Sequence, residues 1–293
     1  MQPESPRLTF DLAHDVSEVL EFHFMVNALL GGSVVAVMAG LVGWLMVVRR
    51  EAFAGHTLSM MAFPGASGAV LIGIAPAWGY FTLCAAGAAG IARLTSVRRD
   101  RWGEQSAAIG IVQASALAAG FLFVSLNGGV LGDLENLLFG NLLAISDAQV
   151  LTLAAVAAAS VALLAAFGRR LLFASVDPDV AAARGLPVRG LSNAFLLALA
   201  LAVAATSLIT GPLLVFALLV APAAAAQTLT ARPLAGLALT VVLALAIAWL
   251  GLGIAYFSIY PAGFWISSLA FATYLLARAG GALRGRLRRA GEG

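Results

Sequence analysis

Residues 41–73 read LVGWLMVVRREAFAGHTLSMMAFPGASGAVLIG. An apolar run stops at Arg49 and Arg50, and a second one is under way by residue 57. Followed outward, the first run reaches back to residue 24 and the second forward to residue 75. Each is near the ~20 residues a helix needs to cross a hydrocarbon core of roughly 30 Å. Charge is confined to the junction, so the stretch reads as the end of one membrane span and the start of the next. One feature does not fit a plain span: His56 and Met60 stand four apart near the head of the second run, followed by Pro64-Gly65.

The rest of the chain repeats the pattern. Its 293 residues are 61% hydrophobic and 11% charged, against about a quarter charged in soluble domains. Mean hydropathy is +0.97. Nine apolar segments follow one another: 24–48, 57–75, 77–95, 105–126, 148–167, 191–209, 211–229, 234–255 and 261–279. Tight uncharged hinges at Pro76 and Gly211-Pro212 join two of the pairs. All 17 basic residues are Arg, and 16 of them fall in or beside alternate connections or around the end of the last segment, Arg7 being the exception. By the positive-inside rule this predicts an all-α, polytopic bundle of nine spans, or eight, with the N-terminus outside and the C-terminus cytoplasmic. The arginines orient the chain, and nothing in them points to nucleic acid. The single cysteine, Cys84, excludes an internal disulfide and a multi-Cys metal site.

Residues 1–23 form an acidic extracytoplasmic segment with no basic n-region, so no cleavable signal is expected. His14 and His23, with Asp11, Asp15, Glu18 and Glu21, give it a face that collects cations or is simply solvated. Residues 24–279 are the transmembrane domain, and 280–293 a basic tail whose RGRLRR run (284–289) suits an anionic lipid surface. Two connections carry structure. Residues 127–146, half apolar with glycines near both ends, predict a short re-entrant or interfacial helix beside the translocation route. In 174–188, Asp177 is placed to cap a helix, Pro178 to open its first turn, and Gly185 with Pro187 to stop it. A short capped helix near 177–185 on the cytoplasmic face reads as a docking element or an ordinary surface turn.

These blocks resemble the ABC-type permeases that import manganese, zinc or iron across the bacterial cytoplasmic membrane. The resemblance is carried by residues 41–73 and, in the same order, by EQSAAIGIVQASALAAGFLFVS (104–125), LLFGNLLAIS (137–146), LLFASVDPDVAAARGLPVRGL (171–191), LLVFALLVAPAAAAQTLT (213–230) and YFSIYPAGFWI (256–266). It implies a homodimer with no intrinsic cofactor, ATP being bound by separate cytoplasmic ABC ATPase subunits. Those would be contacted through Asp177, Pro178, Asp179, Arg184 and Gly185. An extracytoplasmic solute-binding protein would deliver the metal. No phosphate-binding G-x-x-x-x-G-K-[ST] loop exists here, and without Lys none is possible.

The chain departs from the family signature at two places: Gln105 follows Glu104 where the family usually has Asp, and the head of the second segment is changed. The family's Asp position is His56, and its His position is Met60. Residues four apart share a helix face, so the pair is the candidate metal site. Imidazole suits zinc, copper and iron, and thioether suits softer ions, whereas manganese prefers oxygen. The expected cargo is therefore a divalent ion with zinc favoured, or else a metal chelate such as a siderophore or vitamin B12-like complex. His56 as an interfacial anchor and Met60 and Met61 as packing residues stand as the alternative. Met61, Pro64, Glu104 and Asn141 are further pathway candidates: Pro64-Gly65 for a kink or for close packing, Glu104 for an anion at a helix N-terminus. Gly55 would permit a break that sinks the His56 turn deeper. An ion-gradient transporter would place ionisable groups at mid-membrane, and an intramembrane enzyme needs a clustered nucleophile and base; neither pattern is present.

Overall fold

The computed structural model describes residues 12–97, 102–128, 137, 138, 140 and 142–290. Among these it is helical, with no strand. In order the helices are α1 (Leu12–Glu21), α2 (His23–Val48), α3 (Ala52–Leu71), α4 (Pro76–Val97), α5 (Trp102–Leu126), a 3₁₀ turn (Leu142–Ala144), α6 (Asp147–Val176), α7 (Pro178–Ala183), α8 (Val188–Leu229), α9 (Pro233–Tyr256) and α10 (Ala262–Ala290). Each of the nine apolar segments falls mainly in a helix, although 57–75 runs past the end of α3 at Leu71 and 261–279 begins just before α10. Among the described residues, six stretches are long and apolar enough to cross a membrane: His23–Val48, Ile109–Leu126, Asp147–Val176, Val188–Pro212, Pro233–Tyr256 and Ala262–Leu283. Helix α3 is less apolar because it carries His56, Thr57, Ser59, Pro64 and Ser67. The expected helix within 127–146 falls largely outside the described residues.

Two helix ends differ from expectation. Helix α3 starts at Ala52, so Gly55 does not break it; the Gly55 amide donates to the Glu51 carbonyl at 3.1 Å. The missing Cβ is used otherwise, since it would stand 2.4 Å from Met46 Sδ. Helix α6 continues to Val176 and takes Arg169 and Arg170 into its length. Arginine is a good helix former, so an arginine pair need not mark a loop.

The hinge expected at Gly211-Pro212 is a break inside α8, where Gly211 has φ 69° and ψ 155°. Only glycine visits that region cheaply. Its backbone meets Gly140, which has φ 68°. A Cβ on Gly211 would lie 2.2 Å from the Leu138 carbonyl oxygen, and one on Gly140 would lie 2.1 Å from that of Ile209.

The chain forms two compact units, one of residues 1–44, 141–154 and 217–293, the other of 45–140 and 155–216. In the first, small residues let backbones approach, as is usual where lipid removes the hydrophobic drive between helices. Ala36 packs with Ala244 and Ala248, and a Cβ on Gly40 would sit 3.0 Å from Val241 Cα. His23 is paired here: its Nε2 lies 3.2 Å from Asp147 Oδ1, to which the Asn27 amide also donates at 2.6 Å.

In the second unit α3 is the central element, packed against α4 and α5, with 14 of its 20 residues buried. Other helices keep apolar surface outside: the most apolar window of Ile109–Leu126 is 11% buried and that of Asp147–Val176 is 17%. That surface suits contact with lipid.

Helix α7 forms as its local chemistry dictates. Asp177 Oδ1 accepts the Val180 amide at 3.0 Å, and Pro178 opens the first turn. Gly185, at φ 78°, closes the helix with its amide on Ala182 O (2.9 Å), while the Leu186 amide reaches Ala181 O (3.1 Å). Replacing Asp177 by Ala is expected to weaken this helix by about 1 kcal/mol. Hydrogen exchange of the 180–183 amides should then run about fivefold faster; unchanged exchange would show that the flanking helices alone hold the turn.

Candidate metal pathway

Helix α3 presents three faces, and its side chains sort between them. Leu58, Met61 and Gly65 face α4. Cys84 donates its thiol to the Leu58 carbonyl at 3.4 Å, and a Cβ on Gly87 would stand 2.5 Å from Met61 Sδ. Gly65 meets Gly79 backbone to backbone; their added Cβ atoms would fall 2.2 Å and 1.9 Å from each other's carbonyl oxygens. Pro64 and Gly68 face α5. A Cβ on Gly120 would lie 3.1 Å from Pro64 Cα, one on Gly68 would lie 3.3 Å from the Phe123 ring, and Thr57 donates to Gln113 Oε1 at 3.3 Å. Helix α3 runs unbroken from Ala52 to Leu71 through Pro64, and Gly65 serves close packing.

The third face carries His56. Its ring stands edge-on to Phe216, with centroids 4.9 Å apart and planes at 64°. Phe216 lies in the segment just after the Gly211 break. The residue is half-buried, yet its Nδ1 is shut off from solvent and has no hydrogen-bond partner among the described residues. A buried polar atom left this way typically costs about 1–3 kcal/mol, so an orphan needs an explanation. Neutral imidazole nitrogen is also a good ligand for borderline metals. Met60 is buried and lies about 40° from His56 around the helix axis, whereas Met61 lies about 140° away. The His56–Met60 pairing thus shares a face, and the Met61 thioether is taken up in the contact with α4.

Of the other candidates, Glu104 is in the first turn of α5, where an anion is favoured, but its side chain lies outside the described residues. Asn141 lies outside them as well. Among the described residues no group of three His, Cys, Asp or Glu side chains converges to hold a metal. Phe216 was not singled out by the sequence: it is one Phe among 16, and its contact with His56 is made only in the fold. Glu51, five residues before His56, has its carboxyl pushed above the usual carboxylate range by burial, against the pull of the Arg49 guanidinium.

Helices with apolar surface suited to lipid, a break within one of them and, in the second unit, a buried α3 carrying His56 define a polytopic membrane protein. The sequence matches the ABC 3 transport family over residues 21–280, so the chain belongs to that family. It is a multi-pass transport component of the bacterial cytoplasmic membrane, not an enzyme. It is 29% identical over 197 residues to the manganese import system permease protein ScaB of Streptococcus gordonii, covering 67% of this chain and 69% of that one. It is 30% identical over 205 residues to the manganese transport system membrane protein MntC of Halalkalibacterium halodurans, covering 68% of each. Among solved structures it is similar to PsaBC from Streptococcus pneumoniae in complex with a Fab. That match has a TM-score of 0.79 at 29% identity, over 90% of this chain and 94% of the other.

Proposed function

We propose that this chain is the membrane-spanning subunit of an ATP-driven importer of divalent metal ions, with zinc favoured over manganese and iron. The carrying observation is His56, whose Nδ1 is buried and unpartnered on the face of α3 that also holds Met60. Two copies form the conduit. A cytoplasmic ABC ATPase engages each copy at α7 through Asp177, Pro178, Asp179, Arg184 and Gly185, and an extracytoplasmic binding protein hands over the ion. ATP turnover moves the helices between outward- and inward-open states, and the ion passes His56 and Met60 on its way. The basic tail after residue 280 rests on anionic lipid.

Both named relatives carry manganese in their names. Zinc is favoured here because imidazole and thioether replace the Asp and His of the family signature, which removes the charged oxygen that manganese prefers. The test is uptake into proteoliposomes holding the chain with its ATPase and binding protein, offered Zn²⁺, Mn²⁺ and Fe²⁺ separately. ATP-dependent uptake with zinc fastest is expected. A manganese preference would sink the zinc assignment. ATP hydrolysis with no free ion moved would point to a chelate as the cargo.

A further inference from the structure

Arg49 was placed by the sequence as an orienting charge, and the transport reading gives it no further task. Its side chain nevertheless is only 9% exposed and fully engaged. Nη2 donates to Glu51 Oε1 at 2.8 Å and Nε to the same oxygen at 3.1 Å. Nη1 donates to Ser175 Oγ at 3.0 Å, and Nη2 also to Ser192 Oγ at 2.7 Å. The guanidinium carbon stands 4.9 Å from the centroid of the Phe195 ring. One planar cation therefore ties together four stretches: the end of α2, the start of α3, the end of α6 and the start of α8.

Two of these partners flank the docking helix. Ser175 precedes the Asp177 cap by two residues, and Ser192 follows Gly185 by seven. The third partner, Glu51, immediately precedes α3, which carries His56 one turn on. The turn between Arg49 and Glu51 is itself fixed. Arg50 sits at φ 59°, with its amide on Val47 O (3.1 Å) and the Glu51 amide on Met46 O (2.9 Å). This is the helix-ending motif in which glycine is the usual occupant. Its geometry holds the side chains of Arg49 and Glu51 within reach of each other.

We propose that Arg49 is a positioning residue that links helix Pro178–Ala183 to helix Ala52–Leu71, so that displacement of the first is delivered to the second through one guanidinium. The inference rests on the proposed docking of an ATPase at Pro178–Ala183. Arginine is needed because its planar fork meets several acceptors at fixed angles. The lysine ammonium is a point charge on a flexible stem and cannot reproduce them.

The experiment uses the full permease with its ATPase and binding protein in proteoliposomes, comparing Arg49→Lys with the unmodified chain and with Arg50→Gly. The last removes a neighbouring positive charge but suits the left-handed turn. Zn²⁺ uptake and ATP hydrolysis are read together, and nitroxide labels at Phe53 and Val180, both exposed, report movement when nucleotide binds. For Arg49→Lys, uptake per ATP should fall about tenfold. The Val180 label should still respond while the Phe53 label no longer does, and Arg50→Gly should behave as unmodified. A normal uptake ratio, or an unchanged Phe53 response, overturns the link. So does a Val180 label that ignores nucleotide in the unmodified complex. Failure of the unmodified complex to move zinc counts against the cargo assignment alone, because the label responses need nucleotide and not cargo. If Arg49→Lys does not assemble, Ser192→Ala and Ser175→Ala each remove one bond and should each show a partial loss of the Phe53 response; a full response in both overturns the link.

Discussion

On the proposed reading, replacing His56 by Ala is expected to lower zinc uptake about tenfold or more, while the permease still assembles with its partners and the ATPase subunits still hydrolyse ATP. The magnitude follows from losing one ligand bond at the proposed transit site, where each 1.4 kcal/mol is about tenfold in occupancy. Folding should not suffer. The substitution removes a nitrogen that is buried without a partner, so a standing cost disappears along with the contact to Phe216. Uptake at the unmodified rate would remove His56 from the pathway.

A gain-of-function variant tests the same site more sharply. His56→Asp with Met60→His restores the pairing of the family signature, two residues four apart on one face of α3. The carboxylate returns a hard oxygen, so the ratio of manganese to zinc uptake should rise about tenfold. An unchanged ratio, with both ions still carried, would mean that selectivity is set elsewhere, by the binding protein or by another constriction.

What the sequence discloses here follows from how local each determinant is. The apolar segments, the Gly211 break and the Asp177 cap rest on neighbouring residues alone, and each is where the sequence put it. Helix ends were harder. Arginines at 169 and 170 looked like a loop, but arginine is a good helix former and α6 carries both before its end at Val176. The start of α3 at Ala52 was hidden because His56 and Gly55 dilute its hydropathy. The site was half legible. His56 and Met60 fall on one face by helical arithmetic, whereas the surroundings come from far away. Phe216 reaches His56 from 160 positions on, which 216 less 56 gives directly. Arg49 meets Ser175 and Ser192 across 126 and 143 residues. No pattern within a window of the sequence announces such partners.

A large effect on folding is expected at Gly79. Helices α3 and α4 touch through bare backbone at Gly65 and Gly79, and a Cβ on Gly79 would come within 1.9 Å of the Gly65 carbonyl oxygen. Neither side can yield by rotating a side chain, because the obstacle is main chain. Gly79→Ala must therefore push the helices apart, loosening the neighbouring contacts of Met61 with Gly87 and of Cys84 with the Leu58 carbonyl. Overpacking of this kind costs about 3 kcal/mol, which for a chain of this size lowers the melting temperature by roughly 5–10 °C. Gly90→Ala on the same helix is the matched comparison. Nothing lies within 4 Å of its added Cβ, and alanine is the better helix former by about 0.5–1 kcal/mol. In detergent-solubilised protein the first variant should melt earlier than the parent and the second no earlier. Equal melting of the two would mean that the α3–α4 contact does not set the stability of this unit, and His56 would then be held by α5 and the Phe216 segment instead.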